Sequence, residues 1–346
     1  MIKELVKCII QVMDIKKILK YVISAVIAAV LLWFSFRDVE WTQFAEGLKS
    51  CRWSLIALSM AAGSFAFWLR GLRWRQLLLP IAPETKRITT FDGVNIGNIS
   101  NFVFPRIGEF VRCGVITRRS QPVDPEHPEH KKASYDKVLG TVVLERGWEL
   151  LVMLLLLVLV LVGGADRFGA FFMERIWEPM VQRFDSGVWW IAGGLVAFGC
   201  LALYILWRYR NTVGICGKVW GIVRGIGQGF ATCFHMKRKW LFFAYTALIW
   251  MTYWFMAAST VWAAPFLDGL DLIDALFLSL VGGLGFAVPV PGGIGAFHFI
   301  ISLALSVMYG VPVELGVVYA TLSHTSQAIT QILFGLGSYA SEAIRK

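Results

Sequence analysis

The sequence predicts an all-α integral membrane protein: about six spanning helices plus two re-entrant helical hairpins in an inverted-topology repeat, with an eight-helix count if the hairpins cross. Three observations lead there. The 346 residues are 57% hydrophobic and only 16% charged, with a mean hydropathy of +0.63, well outside the balance of a soluble domain. The apolar residues fall into runs near the ~20 that cross a bilayer as a helix. Two stretches, 98–112 and 286–299, break that pattern with Pro, Gly and polar residues and echo one another. Pro105-Arg106-Ile107-Gly108-Glu109-Phe110 aligns with Pro291-Gly292-Gly293-Ile294-Gly295-Ala296-Phe297 after a one-residue insertion.

The net charge of +10 sits in short loops between apolar spans, not on one soluble face. That argues against nucleic acid as a partner and for lipid headgroups and the positive-inside rule. Cys8, Cys51, Cys113, Cys200, Cys216 and Cys233 form no CxxC pair and read as reduced, structural thiols. A single transmembrane domain is expected over 1–346: a basic amphipathic lead-in (1–17), a first repeat (18–162), a cytoplasmic loop (121–136) and a second, inverted repeat (188–340).

Residues 1–20 interleave apolar side chains with Lys3, Lys7, Lys16, Lys17 and Lys20. That pattern suits an anionic membrane surface and equally a frayed terminus. Residues 21–36, extended by Ile18 and Leu19, form span one; no small-residue cleavage site follows, so the segment is expected to be retained. Residues 37–52 balance acids against bases between Trp41 and Trp53 and read as a loop, the weaker candidate for the cytoplasm. Span two, 53–69, runs into Arg70-Gly71-Leu72-Arg73-Trp74-Arg75, which reads as an anchored cytoplasmic end.

Residues 88–104 are only moderately apolar, carry Asp92, Asn95, Asn98 and Asn101, and stop at Pro105. The three asparagines, spaced by three, share a helical face. Residues 107–116 are too short to cross, and Lys86, Arg87, Arg118 and Arg119 flank the pair. It reads as a hairpin dipping in from the cytoplasm. Prolines 122, 125 and 128 make 121–136 a solvated loop, in which His127 and His130 read as polar residues and not as metal ligands. Span three, 137–162, carries Glu145, Arg146 and Glu149; the two glutamates, four apart, share a face.

Residues 163–187 mix acids and bases as an outside loop should, and 188–207 form span four. Residues 211–239 hold basic side chains and no acid, with an interfacial amphipathic helix expected at 213–234. Span five, 240–262, leads to an outside loop bearing Asp268, Asp271 and Asp274. Residues 273–288, a break at 289–295 and 296–309 form the second interrupted pair; 313–339 is the last span. Its polar band (Ser323, His324, Thr325, Ser326, Gln327, Gln331) favours interhelical hydrogen bonding over a substrate path. Counting crossings puts both termini inside, opens the first hairpin to the cytoplasm and the second outward, and so runs the two halves in opposite directions.

Charge inside such a protein needs an enclosed or wet setting. Guanidinium groups recognise phosphate through paired hydrogen bonds, so Arg106 and Arg112, with Arg146, Asn98 and Asn101, are candidate headgroup ligands. Backbone amides at Gly292 and Gly293 are candidates for the same anion. Glu109, Glu145, Glu149 and His298 are candidates for orienting the arginines or carrying protons. The residues leave a plainer alternative open: an internal ion-pair network, a tight turn and a packed histidine.

In this order and spacing, Arg70-Gly71-Leu72-Arg73-Trp74, Pro105 to Arg112, Leu144-Glu145-Arg146 with Glu149, and Pro291 to Gly295 resemble the lysylphosphatidylglycerol synthase transmembrane, or flippase-like, family. Its best-known members carry the membrane half of the bacterial multiple peptide resistance factor. The similarity runs from about Lys17 to the C-terminus. It implies a lipid translocase in a bacterial or archaeal plasma membrane, moving an anionic, aminoacylated or polyprenyl-type phospholipid between leaflets. Two departures stand out. His298 occupies the place where the second motif usually ends in a carboxylate. No soluble aminoacyl-transferase domain follows Lys346, so lysylphosphatidylglycerol synthesis is not expected of this chain.

The expectation is therefore a carrier and not an enzyme, with no cofactor and no metal. Its partners would be phospholipid, the bilayer and a separate lipid-modifying enzyme. The competing readings are a membrane-embedded enzyme acting on a lipid or polyprenyl phosphate, for which no catalytic constellation is visible, and a non-transporting partner of a lipid synthase.

Overall fold

A computed structural model describes residues 15–120, 133–164 and 238–345, with isolated positions between 194 and 236. Among the described residues every long element is an α-helix, as expected of a chain whose backbone groups find no partners in hydrocarbon. In chain order these are α1 (Ile15–Phe36), α2 (Trp41–Ser50), α3 (Trp53–Leu78), α4 (Arg87–Val103) and α5 (Gly108–Arg119). There follow α6 (Tyr135–Gly163), α7 (Lys239–Ala263), α8 (Leu272–Gly285), α9 (Ala296–Tyr309) and α10 (Val313–Ile344). Most of 1–17, of the loop 121–136, of the outside loop 163–187, of span four at 188–207 and of the interfacial helix at 213–234 lies outside the described residues, and α6 begins at Tyr135, inside the expected loop.

Four described stretches are long and apolar enough to cross a membrane: α3, α6, α7 and Pro291–Tyr309, which contains α9. A fifth arises if α1 from Tyr21 and α2, bent by 88°, are counted as one. The second half of the second interrupted pair thus has spanning length, which accommodates crossing as well as re-entry. α10 runs past the expected end at 339 to Ile344.

Two expectations are corrected. The loop at 37–52 is occupied by α2. Trp41, Phe44, Ala45 and Leu48 recur at i, i+3, i+4 and i+7, the one-sided pattern of an amphipathic helix, which the balance of charges concealed. Gly47 seats this helix on α10, since a Cβ there would lie 2.9 Å from the Leu315 side chain. Second, α3 does not stop at 69. It continues to Leu78 with Arg70, Arg73 and Trp74 buried. Helix α4 returns alongside so closely that a Cβ on Gly71 would lie 3.0 Å from Phe91 Cα. The Trp74 indole, which needs a hydrogen-bond acceptor once buried, donates to Thr141 Oγ1 at 2.9 Å.

By compactness the chain divides into residues 1–142 with 240–346, and residues 143–239. In the first unit α4 and α5 pack as a hairpin, α10 runs against both α4 and α9, and α8 packs on α9. Helix α8 opens with a capping box in which Asp271 accepts from the amides of Ile273 and Asp274 and Asp274 accepts from the amide of Asp271. Such reciprocal capping satisfies donors that a helix start leaves orphaned. Asp274 also accepts from the Tyr309 hydroxyl at 2.9 Å, tying α8 to the end of α9. In the second unit Arg146 and Glu149, one helical turn apart on α6, form an ion pair at 2.6 Å.

Candidate functional site

The first break lies between α4 and α5. Pro105 has no N–H to continue a helix, and α5 restarts only at Gly108. Asn101, near the end of α4, reaches across the break and accepts from the Gly108 amide at 2.7 Å, satisfying one of the donors that α5 would otherwise leave unpaired. The hairpin closes on two glycines: a Cβ on Gly108 would lie 2.0 Å from Gly97 O. Between them Arg106 has φ 64, alone among the described non-glycine residues in having a positive φ. L-residues enter that region at a cost of about 1–2 kcal/mol, and the conformation turns the Arg106 side chain out of the hairpin.

The second break is a short 3-10 turn, Pro291–Gly293, between α8 and α9. Gly292, Gly293 and Gly295 have φ of 57, 77 and 82, a run only glycine adopts readily. The same glycines allow close approach. A Cβ on Gly292 would lie 2.5 Å from the Phe102 ring of α4, and one on Gly295 would lie 2.5 Å from Ala28 O of α1.

The two breaks meet. Arg106 Nη2 donates to Ala287 O at 2.8 Å and to Phe286 O at 3.3 Å, the carbonyls just past the C-terminus of α8. From the other side His324 of α10 places Nε2 2.9 Å from Gly292 O. A carbonyl only accepts, so that nitrogen carries the hydrogen. His324 stacks on Phe286 at 5.9 Å between ring centroids, and the His298 ring lies 5.0 Å away. His298 is buried, and its Nδ1 has no hydrogen-bond partner among the described residues. The carbonyls that the second break exposes are thus capped by a cation from the first interrupted element and an imidazole from α10.

Of the residues picked out by sequence, Arg106, Asn101, Gly292, Gly293 and His298 gather at this junction. Arg112 does not point there. It is buried, with its guanidinium 4.7 Å from the Trp74 ring centroid, a cation–π arrangement that contributes to holding the charge. Glu109 is half-buried on the first turn of α5. Asn98 is buried on the α4 face it shares with Asn95, whose amide donates to Ser338 of α10 at 3.3 Å. On α6 Glu145 is buried and Arg146 is held by Glu149.

Sequence reasoning missed an ionic clasp at the far end of α10. Glu342 accepts from Arg118 at 3.0 Å and from Arg119 at 3.0 Å, while Arg345 pairs with Asp92. Both carboxylates are buried. The arginines had a sufficient reading as loop charges, so nothing marked them as partners of α10. The isolated acid Asp92 in an apolar stretch was the available signal.

Helices of spanning length, with charge and unwound backbone collected where two interrupted helices touch, define a polytopic α-helical membrane protein with an internal polar junction. The chain belongs to the lysylphosphatidylglycerol synthase TM region family, whose family model matches residues 21–335 and so takes in both interrupted elements. No curated protein and no solved structure gives a significant match.

Proposed function

We propose that the chain is a carrier that moves an anionic phospholipid, aminoacylated or of polyprenyl type, between the leaflets of a bacterial or archaeal plasma membrane, and that it is not an enzyme. The observation that carries this reading is Arg106: an exposed guanidinium at the meeting point of two interrupted helices, in a chain of a family whose description concerns a lipid. Interrupted helices converging on a polar site are the usual construction of an alternating-access carrier. In this proposal Arg106 holds the headgroup phosphate, with the Gly292 and Gly293 backbone supporting the site. Glu109 and His298 orient Arg106 or carry protons.

The two halves run as inverted repeats with both termini in the cytoplasm, a reading that the loop charges support. A separate enzyme supplies the modified lipid. In proteoliposomes, purified protein is expected to move labelled anionic phospholipid across the bilayer. Arg106→Ala is expected to slow that movement at least tenfold, the loss of a charge-assisted contact of ~1.5–3 kcal/mol. An unchanged rate in Arg106→Ala would sink the assignment. Turnover of candidate lipids into a new product would favour the enzyme reading.

A further inference from the structure

We infer that Arg106 is a lock between the two interrupted elements, and that a phosphate group opens it by competing with the end of α8 for the guanidinium. The inference rests on the headgroup reading above and adds to it how an occupied site differs from an empty one.

The lock has two parts. Arg106 Nη2 spans the carbonyls of Phe286 and Ala287, and the Phe102 ring covers Gly292. The carbonyls lie at a helix C-terminus, where aligned peptide dipoles concentrate partial negative charge. Neither Pro289 nor Pro291 has an N–H to offer them, so Arg106 is the cation that this break needs. Its Nη2 is used, while Nε and Nη1 have no partner among the described residues, and the side chain is exposed. A phosphate can therefore enter on the open edge of the fork.

Once there, the anion and the helix end compete. Both are negative, both claim one guanidinium, and a phosphate adds full opposite charge and a bidentate fit that a carbonyl lacks. The phosphate draws Arg106 away from Phe286 and Ala287. The left-handed backbone at Arg106 is free to relax in the same step. What then still joins the two breaks is packing such as the Phe102–Gly292 contact. An empty carrier stays shut, and a loaded one is loosened at the point where its two interrupted elements must part.

Hydrogen–deuterium exchange of the amides between 286 and 295, on the full chain in nanodiscs, tests this. The probes are dihexanoyl phosphatidylglycerol, dihexanoylglycerol without the phosphate, and inorganic phosphate. The phosphatidylglycerol is expected to speed exchange there roughly tenfold, and the phosphate-free lipid to leave it unchanged. Arg106→Gln is expected to speed it equally without lipid and to abolish the lipid response. Phe102→Ala, which spares the guanidinium, is expected to raise the basal rate and keep the response. Wild-type exchange in Arg106→Gln overturns the lock whatever the lipid does. Faster exchange in Arg106→Gln, with no response of the wild type to any probe, overturns the phosphate as its opener and the headgroup reading with it. Slower exchange on phosphatidylglycerol binding overturns the lock and leaves the headgroup reading standing. A full response to inorganic phosphate alone supports the lock and overturns the lipid as its required opener.

Discussion

At the scale of single residues, two of the polar side chains that sequence assigned to a headgroup are employed by the protein itself. Asn101 caps α5 through the Gly108 amide, and Arg112 lies against Trp74. Both uses depend on where a second helix returns, which residue spacing does not encode. Asn101→Ala is expected to lower stability by about 1 kcal/mol, with Asp in its place restoring most of the loss, as an N-cap does; thermal unfolding in detergent reads this. A headgroup ligand would show a transport defect without a matching stability defect. Gly108→Ala meets the Gly97 carbonyl at 2.0 Å and is expected to cost about 1–3 kcal/mol or to block folding of the hairpin, measured in the same assay. The glycine in Pro-Arg-Ile-Gly is thus explained by backbone contact and not by ligand chemistry.

At the scale of elements, α10 is tied to the second break near its middle and to the first hairpin near its C-terminal end. His324 reaches the second break, and eighteen residues further on Glu342 receives Arg118 and Arg119 while Arg345 reaches Asp92. Gly335 sits between them against Ile99, where a Cβ would lie 2.6 Å from the Ile99 side chain. Within the polar band on α10, His324 bonds the Gly292 carbonyl of the second break. Glu342→Gln removes the charge that Arg118, Arg119 and Arg345 share. Because Arg118 and Arg119 are partly exposed, with side-chain exposures of 59% and 27%, solvent screening discounts the cost to about 1–2 kcal/mol. The expected result is a lower unfolding temperature whose gap from wild type narrows as salt rises. A gap that salt leaves unchanged would count against an ionic clasp.

At the scale of the whole molecule, the charge pattern makes a sidedness prediction that can be checked without a transport assay. A cysteine placed at Ser120, beside Arg118 and Arg119, is expected to react with a membrane-impermeant thiol reagent from the cytoplasmic face, and one at Asp268 from the outer face. Labelling of both from one side would overturn the inverted repeat. The sequence by itself determined the all-helical membrane class and the family. It also determined the two breaks near 105 and 291, because span length, Pro and Gly act locally and leave their mark in residue order. It determined the shape of α8 and α9 for the same reason. Only the tertiary structure decided what the polar residues do. It turned an expected loop into α2, buried Trp74 and Arg112, paired Arg118 and Arg119 with Glu342, and brought Arg106 to the end of α8. Each of those outcomes is set by a partner far away in the chain, and in an apolar protein a buried polar group must find one. The sequence shows that such partners are needed; the packing of the helices selects which they are.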